Sequence, residues 1–129
     1  MVLMDSLTLK KYGFLKWISL TELKKSQVPF KPGVYVFRAR QPFGRLCEFS
    51  DIVYVGYTQD LNQRLIYNYI EGNGGETTQR IHSYLFEKDY IRLLEISWVL
   101  SDDSKKMESG IRLEYESEHH ELPPWNRQR

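Results

Sequence analysis

The sequence predicts a mixed α/β domain, a small antiparallel sheet flanked by helices, and three observations carry that prediction. Two runs rich in β-branched and aromatic residues, 33–40 and 51–56, lie close in the chain and pair most simply as an antiparallel hairpin with a long loop. Beyond them Leu61, Leu65 and Tyr69 recur at helical spacing. A third β-leaning run, 91–100, is bounded by the polar stretch 101–105.

Taken in order, Ser19-Leu20-Thr21-Glu22 has the form of a capping box and predicts a short helix to about Lys25, stopped by Pro29 and Pro32. The first strand follows, then a connection over residues 41–50 carrying Pro42 and Gly44, then the second strand. Thr58 or Asp60 can cap the next helix, which ends near Gly72-Asn73-Gly74-Gly75. Residues 76–87 read as another helix, 91–100 as the third strand, and about 105–120 as a final helix ended by Pro123 and Pro124. Trp125-Asn126 is then a tail expected to pack back on the body. No internal repeat, linker or low-complexity segment divides the chain, so residues 1–129 read as one domain with a core at about 31–127 and an N-terminal helical extension over 1–30.

Length and composition narrow the classes. The 129 residues are 41% hydrophobic and 14% aromatic, enough for a single core. No apolar stretch reaches membrane-spanning length and the first sixteen residues lack the pattern of a secretory signal, so a cytoplasmic protein without membrane association is expected. Cys47 stands alone, which excludes an intrachain disulfide and a cysteine-cluster zinc site. Formal net charge is only +1, against bulk electrostatic coating of nucleic acid. Its distribution is uneven: residues 1–64 carry net +5 and residues 65–129 net −4, which suggests a basic face contributed mainly by the N-terminal half.

Several side chains stand where chemistry could be done. On the last helix Met107, Ile111, Glu114 and Glu118 form a stripe at spacings of four, three and four, so Glu114 sits where the stripe turns from apolar to polar. A carboxylate there needs a partner, either a cation or an arginine such as Arg64 or Arg112. Arg64, between Leu61 and Leu65, emerges beside the buried face of its helix, and its planar, permanently charged fork suits a phosphate. His119-His120 lack the i, i+4 spacing of a helical zinc pair and read as a solvated helix end. His82 reads as a surface or half-buried helix residue.

Gly33-Val34-Tyr35, Tyr54-Val55-Gly56, the segment from Thr58 to Arg64, Leu113-Glu114 and the closing Pro124-Trp125-Asn126 together resemble the GIY-YIG nuclease family, over roughly Lys31 to Arg127. The resemblance implies an α+β fold with a small three-stranded antiparallel sheet flanked by helices, and single-metal hydrolysis of DNA. It implies that Glu114 holds Mg²⁺, with Mn²⁺ a plausible substitute, and that Arg64 stabilises the attacked phosphate. Tyr35 and Tyr54 map to the two motif tyrosines, one orienting or deprotonating the attacking water and the other aligning it; a phenol near pKa 10 needs neighbouring cations to serve as a base. Gly33 and Gly56 allow close backbone approach, and Asn126 would bond into the site and hold its shape.

The chain departs from the family in three places. The loop between the tripeptides is longer than usual, Tyr57 replaces a lysine found in some relatives, and Asn68 stands one turn after Arg64, where relatives carry His or Tyr. Tyr67 and Tyr69 flank Asn68, so a rotation of the helix could substitute one of them. The leading expectation is a Mg²⁺-dependent DNA endonuclease; the alternative is a catalytically weak nucleic-acid-binding or nuclease-complex subunit. No dedicated base-reading helix is present, so a homodimer or a partner protein could supply specificity.

Overall fold

The computed structural model describes residues 5–127. Its centre is an antiparallel sheet of four strands, β1 (Ile18–Ser19), β2 (Gly33–Gly44), β3 (Phe49–Thr58) and β4 (Leu94–Leu100), in the order β1-β4-β2-β3. Three strands were expected. The fourth is β1, whose Ile18 and Ser19 pair with Ile96 and Glu95 of β4. Two residues are too few to show an alternating pattern, so only the pairing reveals this strand.

The hairpin β2–β3 also extends into the segment expected to be a long loop. Register shifts after Phe37 and after Arg38 absorb the extra residues, and pairing resumes at Phe43↔Ser50 and Gly44↔Phe49. Pro42 falls inside that irregular stretch, where no ladder donor is lost. A tight turn closes the hairpin, with Arg45 N–H donating to the Glu48 carbonyl at 2.9 Å.

Side chains alternate across β2, and both faces are covered. Tyr35 and Phe37 enter one core with Leu61, Leu65, Tyr69, Ile81 and Leu85. Val34 and Val36 enter the other with Ile52, Val55, Ile111, Tyr115, Leu9 and Phe14. The first core is roofed by a π-helix, Gln63–Ile70, and by α1, Glu76–Phe86; the second is roofed by α2, Ser104–His119, and the N-terminal 3₁₀ turn Thr8–Tyr12. Burying each such aliphatic or aromatic side chain contributes about 1.5–3 kcal/mol before entropy is counted.

The N-terminal segment is part of this body. Its expected capped helix is replaced by two 3₁₀ turns, Leu20–Glu22 and Lys25–Gln27. Ser19 makes no capping bond there; its backbone is extended in β1 and its hydroxyl accepts from Arg40 Nη2 at 3.1 Å. A run this short between a strand and two prolines cannot repay the cost of helix nucleation. The buried amide of Asn62 fastens the segment to the core, donating to the carbonyls of Lys25 and Val28 at 2.9 and 2.8 Å.

Candidate active site

A cleft of about 730 Å³ opens where the end of β3 meets α1, α2 and the C-terminal tail. Tyr35, Tyr54, Arg64, Glu108, Arg112 and Asn126 all line it. The two motif tyrosines come from neighbouring strands, their ring centroids 6.1 Å apart. Tyr35 pairs across the ladder with Gly56, and a Cβ at residue 56 would collide with Cζ and Oη of the Tyr35 ring. Glycine at 56 is therefore what lets the phenol lie over β3. Gly33 answers a different demand, since a Cβ there would stand 2.5 Å from the Val99 carbonyl of β4.

Arg64 is positioned by the start of its helix. Asp60 Oδ1 accepts from Gln63 N–H at 3.1 Å, and Thr58 Oγ1 accepts from Asp60 N–H at 3.1 Å, so both residues proposed as caps take part. From Gln63 the helix widens to π geometry, marked by Glu71 N–H donating to Ile66 O at 2.9 Å, five residues back. In an α-helix the residue one turn past Arg64 is Asn68; in the wider turn it is Tyr69. Tyr69 is buried, and its hydroxyl lies 2.5 Å from that of Tyr35. Asn68 instead donates to the Asn73 carbonyl at 2.5 Å, and Tyr67 is exposed, so neither joins the tyrosine cluster.

Electrostatics follow from burial. The Tyr35 hydroxyl is pushed well above the usual phenol range by desolvation, then by Tyr69 and Tyr54, while Arg64 pulls the other way and loses. Tyr54 is raised in the same manner, first by burial and then by Tyr69. Both phenols are neutral at working pH in this environment. Burial acts against the Arg64 charge, and the hydroxyls of Tyr35 and Tyr69 act for it as hydrogen-bond partners, so the guanidinium stays cationic.

The structure does not bring Glu114 to the cleft. Its carboxylate accepts from Tyr12 Oη at 2.5 Å and from Lys11 Nζ at 2.7 Å, on the side of α2 that clasps the N-terminal segment. These contacts outweigh partial burial and hold Glu114 below the usual carboxylate range. The buried stripe of α2 is Ser104, Glu108, Ile111, Tyr115 and His119, rotated from the one read through Met107 and Glu114. Glu108, only 5% exposed, is the α2 carboxylate that lines the cleft; Glu76 of α1 lines it too but is exposed. Burial raises its pKa against the pull of Arg112, whose Nε bonds Oε1. The signal that phases the helix correctly is Ile111, Tyr115 and His119 at successive spacings of four. His119 is thus not a solvated end: it is fully buried, with Nδ1 2.7 Å from the Cys47 carbonyl. His82 is half-buried, with Nδ1 2.8 Å from the Tyr69 carbonyl.

Asn126 completes the edge of β3. Its Oδ1 accepts from Val55 N–H at 3.0 Å and its Nδ2 donates to Val55 O at 2.9 Å, while Trp125 N–H donates to Val53 O at 3.0 Å. Through one backbone bond and two side-chain bonds the tail covers this edge and fixes the wall beside Tyr54. Arg64, Arg80, Lys105, Arg112 and Arg127 make the cleft basic, against Glu76 and Glu108. Four of those cations come from the chain's acidic second half, so the cleft's positive charge does not come mainly from the N-terminal half.

Among the described residues no three His, Cys, Asp or Glu side chains gather as a metal cluster. No described helix is long and apolar enough to cross a membrane. A family model, the GIY-YIG catalytic domain, matches residues 31–121. No curated protein matches the chain.

Proposed function

The chain belongs to the GIY-YIG family, a nuclease family, and from that premise we propose that it is an endonuclease hydrolysing DNA phosphodiesters with one divalent cation, Mg²⁺ or Mn²⁺, held by Glu108. The carrying observation is the cleft shared by Tyr35, Tyr54, Arg64 and Glu108, which places one buried carboxylate, one guanidinium and two phenols around a single space. The metal role that the resemblance implies for Glu114 passes to Glu108, because Glu108 lines the cleft whereas Glu114 lies outside it against Lys11 and Tyr12.

The donor set fits the cation. Mg²⁺ commonly takes one or two carboxylates and keeps several waters, so one glutamate without a ligand cluster is sufficient. Glu108 is also paired with Arg112 through Oε1, so a metal there would share the carboxylate with that guanidinium. When bound, the cation would neutralise charge on the phosphate and on the departing 3′ oxygen.

Arg64 binds and stabilises the phosphate as its charge is redistributed. Tyr35 acts as a neutral hydroxyl linked to Tyr69: it orients the attacking water and passes hydrogen-bond polarisation to a second phenol, and it is not a standing phenolate. Tyr54 aligns the same water from the neighbouring strand. Asn126 holds the Val55 backbone, and through it Gly56 and the position of the Tyr35 ring.

The test is cleavage of duplex, branched and single-stranded DNA with Mg²⁺ or Mn²⁺, against the same reactions in excess chelator. Metal-dependent internal cuts are expected. DNA binding without cuts under any of these conditions would replace the enzyme by the binding-subunit reading.

A further inference from the structure

Where α1 meets the C-terminal tail, the cleft carries two guanidinium groups that the hydrolytic cluster does not use. Arg80 projects from α1, and its Nη1 is buried with no hydrogen-bond partner. Leaving such a donor unsatisfied costs about 1–3 kcal/mol, more when the group is charged, so its retention calls for a reason. Arg127 lies in the tail, and its Nη2 donates to the Tyr84 hydroxyl at 2.9 Å. The Arg80 guanidinium lies 6.0 Å from the ring of that same tyrosine. Neither arginine takes part in an ion pair among the described residues. Two like charges are thus gathered on one phenol, and both face the cleft.

Tyr84 is itself anchored. Its ring lies 4.8 Å from that of Trp125, whose backbone is bonded to Val53 of β3. The pair of cations is therefore tied to the same strand edge that holds Tyr54 and Asn126. A structural arginine is ordinarily neutralised by a carboxylate; among the described residues neither of these has one within ion-pair distance, although Glu76 lines the same cleft, and the chemistry that satisfies two adjacent forks is an anion with several acceptor oxygens.

Resting on the proposed nuclease reading, we propose that Arg80 and Arg127 form a second phosphate subsite, which grips the backbone phosphate neighbouring the one presented to Arg64. The cleft then takes a nucleic-acid strand with at least two consecutive phosphates and draws affinity, without sequence preference, from the junction of α1 and the tail. Its volume of about 730 Å³ is within the range that encloses a ligand much larger than one phosphate.

The test is equilibrium binding of a fluorescent mixed-sequence 20-mer, as duplex and as single strand, with metal chelated so that no cleavage occurs, over a series of salt concentrations. Arg80→Gln should weaken binding about tenfold and flatten the salt dependence by about 0.9 on duplex or 0.7 on single strand. Arg127→Gln should flatten it by a similar amount, and Arg80→Lys should keep the native slope. Thermal melting identifies a variant that fails to fold, in which case the other position decides. Native slopes in folded Arg80→Gln and Arg127→Gln, with tight binding by the native chain, would overturn the subsite and leave the nuclease reading standing. Absence of native binding to either DNA would also overturn the subsite, while the nuclease reading stands or falls separately on metal-dependent cleavage.

Discussion

Glu108 and Glu114 stand six residues apart on the same helix, and their surroundings do opposite things to a carboxylate. Glu114 is given two hydrogen-bond donors, Lys11 and Tyr12, and its charge is stabilised. Glu108 is taken out of water beside the cleft, and burial outweighs its ion pair with Arg112. A satisfied carboxylate fastens the fold, whereas a desolvated one facing a cleft is held ready for a ligand. The two faces of the sheet share that division: α2 and the N-terminal turn build the second core, while the π-helix, α1 and the tail surround the tyrosines.

The largest effect that would break this comparison is on catalysis. Glu108→Gln should lower metal-dependent cleavage by about a thousandfold, while Glu114→Gln should leave it within a few-fold. The reverse ranking in a single-turnover assay would return the metal role to Glu114. Because the Glu108 pKa is raised in the absence of metal, cleavage at sub-saturating metal should fall on acidification at a less acidic pH than an ordinary carboxylate would dictate, and excess metal should move that fall to lower pH.

Next in size is the tyrosine pair. Tyr69→Phe removes the hydroxyl 2.5 Å from Tyr35 and should reduce the cleavage rate by about a hundredfold, whereas Tyr67→Phe, at an exposed position, should leave it unchanged. Equal rates for the two variants would mean that the widened helix turn has no chemical role.

Gly56→Ala tests the space beneath Tyr35. The added methyl collides with the ring, so a loss of about 1–3 kcal/mol in unfolding free energy is expected from denaturant titration, together with lost cleavage. Full stability would show that the ring can move aside.

The smallest effect sharpens the structural side. Glu114→Gln should cost about 1 kcal/mol of stability near neutral pH, discounted for partial exposure. The Glu114 pKa is lowered on folding, so its contribution is present above the unfolded carboxylate value and disappears as pH falls through the folded one. Tyr12 is raised to about 12, by burial and then by Glu114, so the phenol's share is present below its unfolded value and is lost as pH rises through about 12. Unfolding curves of native and variant protein should therefore differ most at intermediate pH and converge at both extremes; a pH-independent gap would mean that packing, not charge, holds the clasp.

Reading the chain alone recovered the elements that repeat a strong local pattern. Residues 33–40 and 51–56 did become strands, Leu61, Leu65 and Tyr69 did share one buried face, and the last helix fell within a residue of its expected bounds. What stayed illegible was set by contacts distant in sequence. Strand β1 exists because β4 offers it an edge, and the hairpin's irregular register is a compromise between strands. The Asn68 problem could not be solved from spacing, because a π turn and an α turn present different residues to the sheet and the choice is made by packing.

By itself the sequence determined the inventory: two tyrosines on adjacent strands, an arginine on the following helix, several glutamates on the last one, and glycine where a side chain would collide. Tertiary structure alone decided which members meet. Helical periodicity fixes angles between side chains and leaves the rotation of the whole helix free, and that rotation is set when Ile111, Tyr115 and His119 are buried. Once they are inside, Glu108 faces the cleft and Glu114 faces Lys11 and Tyr12.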